Sequence, residues 1–278
     1  MGTPITSADN ANKGGMAMVP TSPRLAYRRT GAADQPVVVL LHSLGASGAA
    51  WEGVIDELAD TYSLLVPDLR GHGRSERAAV ADVEEWAADL ERVLDHAGIE
   101  PERQVTLVGV SVGGIEAMVF AATRPEWVGA LVVADSFAAL PAELASQRIA
   151  TQTQQVASLP MPEVADHYVA ATFRDRTCRG AQIIRDALAG MDPDSYVAAV
   201  RTCFGADVRH LLADITAPTL VLCGDRDDKT PRPLSEFIAS GIAGSLLGVV
   251  PDAGHLAPLD NPMVFSRLVA DFLGTIDR

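Results

Sequence analysis

Residues 36–41 read Pro-Val-Val-Val-Leu-Leu, an apolar run with no polar break. A short β-branched run of this kind, bounded by turn residues, fits a parallel strand buried on both faces. Comparable runs recur at 62–66, 104–110, 127–134, 218–223 and 245–250. Between them the apolar positions take helical spacing. Trp51, Val54, Ile55 and Leu58 share one side of a helix over 49–60, and further helices are expected over 83–97, 113–123, 231–240 and 262–273. Asp82 is placed to cap the helix at 83–97, with Glu85 three residues on as its capping-box partner.

From about 136 to 206 this alternation stops. Helix-like pieces follow one another, punctuated by Pro141, Pro160, Pro162, Gly190 and Pro193. Alternating strands and helices imply an α/β fold, a mostly parallel central sheet with helices on both faces. The interruption implies a helical lid inserted after the strand at 127–134, over the carboxyl ends of the strands where such sheets bind ligands. The expected organisation is a flexible leader at 1–20, a core made of 21–135 and 207–278, and the lid at 136–206.

Composition narrows the function classes. A chain of 278 residues with 48% hydrophobic and 21% charged positions is globular rather than disordered. No apolar run reaches the roughly 18–20 residues of a spanning helix. A net charge of −14 argues against nucleic acid and anionic membranes as partners. Lys13 and Lys229 are the only lysines. Cys178, Cys203 and Cys223 are odd in number and lack metal-ligand spacing, which fits reduced thiols and no metal. With no apolar signal-like segment near the start, a cytoplasmic location is expected.

The sharpest chemical signal is Gly109-Val110-Ser111-Val112-Gly113, between an expected strand and an expected helix. G-x-S-x-G in that context is a nucleophile elbow: a strained turn that lifts the serine hydroxyl above the sheet at a helix N-terminus. A serine needs a base, and the base needs an acid, in the chain order Ser, Asp or Glu, His. Of the later histidines, His167 and His210 fall in or just after the helical interruption, whereas His255 follows the last strand. The acid belongs after the strand at 218–223, where Asp225, Asp227 and Asp228 compete and spacing does not choose among them. Backbone donors for an oxyanion are expected at Val112 and at Leu44, in the loop His42-Ser43-Leu44-Gly45; His42 reads as a buried structural residue of that loop.

Five segments in order, HSLG, PDLRGHGRS, GVSVGG, GDRDDKTP and AGHLAPLDNP, resemble the α/β-hydrolase family across roughly residues 24–275. The resemblance implies a catalytic serine at Ser111, base at His255 and oxyanion amides at Leu44 and Val112. Its G-x-x-D-x-x-x-P pattern, bounded here by Gly224 and Pro231, implies Asp227 as the acid. GHGRS is implied to be a structural loop. Within the family the chain is similar to 3-oxoadipate enol-lactonases, which implies a small-molecule carboxylic ester or lactone as substrate, no cofactor, and Arg148 as a substrate-binding residue. It departs from them in the lid: Ala145 stands where a Trp is expected, and Trp51, Trp86 and Trp127 all lie outside the insertion. Two other activities fit the same residues: C–C bond hydrolysis of a vinylogous diketone, and a low-turnover ligand receptor. Haloalkane dehalogenases and epoxide hydrolases carry a carboxylate at the elbow, so the serine disfavours them.

Overall fold

The computed structural model describes residues 15–80 and 82–276. Two short antiparallel strands come first, β1 (Met16–Val19) and β2 (Leu25–Thr30). The parallel strands follow: β3 (Val37–Leu41), β4 (Ser63–Pro67), β5 (Val105–Val110) and β6 (Val128–Ala134). A 3₁₀ turn at Gly48–Trp51 and α1 (Glu52–Leu58) join β3 to β4, α2 (Val83–His96) lies between β4 and β5, and α3 (Val112–Thr123) follows β5. β7 (Thr219–Gly224), α8 (Arg232–Gly241), β8 (Leu246–Val250), α9 (Ala257–Asp260) and α10 (Pro262–Ile276) complete the layer. Between β6 and β7 stand four α-helices, α4 (Ala142–Ser158), α5 (Met161–Thr172), α6 (Arg179–Ala189) and α7 (Pro193–Gly205), and a 3₁₀ helix at Arg209–Asp214.

The strands form one sheet in the order β1-β2-β4-β3-β5-β6-β7-β8. β2 runs antiparallel to both of its neighbours, and the rest is parallel. Every residue of β3, β4 and β7 is buried, which is why their sequences read as unbroken apolar runs. The chain leaves β3 toward β4 on one side and returns to β5 on the other. The connections leaving the carboxyl ends of β3 and β5 therefore run in opposite directions and open a crevice, the usual ligand position in such sheets.

The flexible leader expected over 1–20 is corrected at its end. Met16–Val19 is a strand paired with β2, and Ala17 and Val19 are buried. Residues 1–14 lie outside the described residues. Asp82 caps α2, its carboxylate accepting from the Glu85 amide at 3.1 Å. The Glu85 carboxylate accepts from Arg70 Nη1 at 3.0 Å, which ties α2 to the loop after β4. In that loop the Asp68 carboxylate accepts from the Gly48 and Arg74 amides, and Ser75 Oγ donates to the Asp68 carbonyl. These bonds fold the GHGRS segment back over the end of β4. In the insertion, α5 packs on α6 and α4 on α7.

Candidate active site

Ser111 sits between β5 and α3 with φ +56° and ψ −117°. That region is costly for a residue with a Cβ and persists only when its surroundings enforce it. The enforcement is backbone against backbone. A Cβ on Gly109 would lie 2.1 Å from the Gly113 carbonyl oxygen, and one on Gly113 would lie 2.2 Å from the Leu41 carbonyl oxygen. The elbow therefore closes only with glycine at both positions.

Ser111 Oγ lies 3.1 Å from His255 Nε2, and His255 Nδ1 lies 3.0 Å from Asp227 Oδ2. With Nδ1 protonated, the imidazole donates to Asp227 and accepts the Ser111 hydroxyl. All three side chains are buried. Of the three competing aspartates, Asp227 is the one within hydrogen-bond reach of His255. Asp225 accepts from the Ala253 amide and Asp228 is exposed.

Asp227 is held by more than the imidazole. Its Oδ1 accepts from the Lys229 and Thr230 amides at 2.8 and 2.9 Å, and its Oδ2 accepts from Thr230 Oγ1 at 2.5 Å. Burial alone would raise this carboxyl; His255 and Thr230 outweigh it and hold the group well below the ordinary carboxylate range. Burial lowers His255 below its ordinary 6.5, against the opposing pull of Asp227, and the nearby charges of Lys229 and Arg148 add to the lowering.

Behind this row lies Asp135, fully buried at the end of β6 with φ +46°. Its two oxygens accept from the Gly224 and Ala257 amides at 2.8 and 2.9 Å, tying together the two loops that carry Asp227 and His255. Burial, with Asp227 nearby, pushes Asp135 well above the usual carboxylate range. On the other side of Ser111, His42 accepts from the Leu69 amide at Nε2 and donates from Nδ1 to the Ser43 carbonyl. Burial pushes its pKa down to about 4, so it stays neutral and braces the loop that carries Leu44. Among the described residues the Leu44 amide donates to no group. The Val112 amide, in the first turn of α3, has no intrahelical acceptor.

A cavity of about 220 Å³ opens onto Ser111 and His255. Leu44 lines it from the sheet side, and Arg148 and Gln152 of α4, Tyr168 of α5, and Tyr196 and Phe204 of α7 line it from the insertion. The guanidinium of Arg148 stands 5.5 Å over the Phe204 ring and donates to the Lys229 carbonyl at 2.7 Å. Arg174, Arg176 and Arg179 line an open cleft of about 620 Å³ outside it. Arg179 pairs with Glu52, and Arg185 pairs with Asp166. Thr230, Lys229 and Asp135 were not singled out from sequence for this site. The one available hint was that Lys229 is one of two lysines in an arginine-rich chain.

A family model described as the alpha/beta hydrolase fold matches residues 36–192, and the chain belongs to that family. It is 27% identical over 247 residues to 3-oxoadipate enol-lactonase 2 of Acinetobacter baylyi, covering 88% of this chain and 91% of that protein. It is 26% identical over 250 residues to a pimeloyl-[acyl-carrier protein] methyl ester esterase of Neisseria meningitidis, covering 87% and 78%. The solved structure of a hydrolase from Pseudomonas aeruginosa PA01 superposes with a TM-score of 0.85 at 30% identity, covering 95% of this chain and 100% of that one. The protein is an alpha/beta hydrolase, and the proteins it resembles include enol-lactonases and esterases. No helix among the described residues is long and apolar enough to cross a membrane.

Proposed function

We propose that the protein hydrolyses a small carboxylic ester or lactone through an acyl-enzyme on Ser111. The observation that carries this reading is the buried row Ser111–His255–Asp227 at the mouth of the 220 Å³ cavity. His255 Nε2 takes the Ser111 proton as Oγ attacks the substrate carbonyl, and Asp227 stabilises the imidazolium that forms. The Leu44 and Val112 amides receive the negative charge on the carbonyl oxygen. Collapse of the tetrahedral intermediate breaks the acyl–oxygen bond, and His255 returns the proton to the leaving alkoxide. In a lactone that hydroxyl stays attached to the acyl group. Water then attacks the acyl-enzyme by the same proton route and frees the acid.

The segment 136–206 serves as the lid of this pocket, and Arg148 is the lid residue placed to hold a substrate carboxylate. The similarity to an enol-lactonase, together with a guanidinium in the pocket wall, favours a lactone that bears a carboxylate. Replacement of the nucleophile is the test. Ser111→Ala should lower kcat about 10⁶-fold with the fold intact, as expected when the members of a triad act as one unit. Retention of more than about a hundredth of the wild-type rate would contradict the assignment.

A further inference from the structure

Lys229 is the other cation at this pocket. Its backbone carbonyl receives the Arg148 guanidinium, so the two side chains are fixed relative to one another. Its Nζ donates to Thr172 Oγ1 at 2.6 Å and stands 4.0 Å from the centre of the Tyr168 ring. Both partners belong to α5, and neither is an anion. Among the described residues neither Arg148 nor Lys229 is ion-paired, whereas Arg179 and Arg185 of the same insertion are. Two cations held by a carbonyl, a hydroxyl and two aromatic faces are positioned but not neutralised. Both line the cavity that contains Ser111 and His255.

From this arrangement we infer that Lys229 and Arg148 form one subsite for a substrate carboxylate, and that Lys229 is the residue through which pH governs the enzyme's preference for anionic over neutral substrates. The inference rests on the hydrolase reading above and adds a specificity residue to it. The guanidinium offers a planar two-pronged donor, and the ammonium offers a compact point charge with three donor protons.

The charged and titratable groups around Lys229 set the sign. Arg148 faces it from α4, Tyr168 from α5 and Cys203 from α7; Asp227 and Asp228 lie on its own loop, and His255 on the neighbouring one. Arg174, Asp175, Arg176, Cys178, Arg179, Arg226, Asp252 and Asp260 line the outer cleft with it. Burial first, and Arg148 second, bring its pKa down to about 8, with Asp227 opposing. Below pH 8 the subsite carries two positive charges, and above it one. A bound carboxylate favours the charged lysine, so affinity for an anionic substrate falls as pH rises through 8.

The test compares two p-nitrophenyl esters of a five-carbon acyl chain, one ending in a free carboxylate and one in the amide. The readout is the ratio of their KM values in the wild type, Lys229→Met and Lys229→Arg. In the wild type the carboxylate ester should have the lower KM at pH 7 and lose that advantage by about pH 9.5. In Lys229→Met the advantage should shrink about 10- to 100-fold at pH 7, the scale of one charge-assisted hydrogen bond, and its pH dependence should vanish. Lys229→Arg should restore the advantage and hold it flat to pH 9.5, because guanidinium does not titrate there. If Lys229 only latches α5 to the loop, KM for both esters will rise together and the ratio will stay constant; that outcome overturns the inference, as does a ratio unchanged by either substitution. Failure of the hydrolase reading would look different, as hydrolysis of both esters surviving Ser111→Ala.

Discussion

At the scale of single residues, the proposed chemistry turns on keeping His255 neutral beside a carboxylate that stays charged. Burial lowers the imidazole below 6.5, and the base is competent only when unprotonated. The acid limb of kcat/KM should therefore fall below pH 6.5, with activity retained at pH 6; a midpoint well above 6.5, with a substrate limited by chemistry, would contradict the burial argument. Asp227→Asn removes the charge that stabilises the imidazolium and should lower kcat about 10³–10⁴-fold. Asp225→Asn, which alters a bond to the Ala253 amide and an exposed ion pair with Arg226, should have a far smaller effect, and steady-state rates of the two variants decide between them. The sequence placed Ser111 and His255 by motif and chain order, but it left three aspartates level until the family pattern selected Asp227. The role of Thr230 is not legible in the sequence, for a physical reason. A threonine three residues after an aspartate looks like any turn threonine until its hydroxyl is seen 2.5 Å from Asp227 and 3.1 Å from His255.

Among the elements, the parallel strands were legible, the exposed edge strand β8 included, and the antiparallel edge strand β1 was not. β3, β4 and β7 are buried throughout, so their apolar runs could be read directly. β1 is four residues, Met-Ala-Met-Val, with every second one buried, and it follows a stretch rich in small polar residues. So short an edge strand takes its stability from pairing with β2, which local composition does not report. α3 carries a buried acid. Glu116 is buried on this elbow helix, and its Oε2 has no partner among the described residues. Burial, with Asp89 nearby, raises it well above the ordinary 4.5. A raised acid contributes stability at low pH that is lost as pH rises through the folded-state value. Glu116→Gln removes that loss. It should raise the melting temperature by a few degrees at pH 8, on the scale of about 2–4 °C per kcal/mol, and leave it nearly unchanged at pH 4. Equal shifts at both pH values would show that the group does not titrate on folding.

Across the whole molecule, the divergence of the chain at β3 and β5 sets Leu44 beside Ser111, and the loops after β7 and β8 bring Asp227 and His255 to the same end of the sheet. Alternation of strands and helices was enough to read a mostly parallel sheet covered by helices, but not the order of its strands. The insertion was readable as helices but not as a pocket. Arg148 and Lys229 are 81 positions apart, and their bond depends on how α4 settles over the loop after β7. No local pattern encodes that packing. The claim on which the rest stands is a covalent acyl group on Ser111. Acid-quenching the enzyme within the first turnovers of a p-nitrophenyl ester, followed by mass spectrometry of the peptide containing residues 105–123, tests it directly. The expected result is that peptide carrying the mass of the acyl group, on Ser111 and absent from Ser111→Ala. Rapid hydrolysis with the peptide unmodified at every quench time, and the same rate in Ser111→Ala, would contradict it.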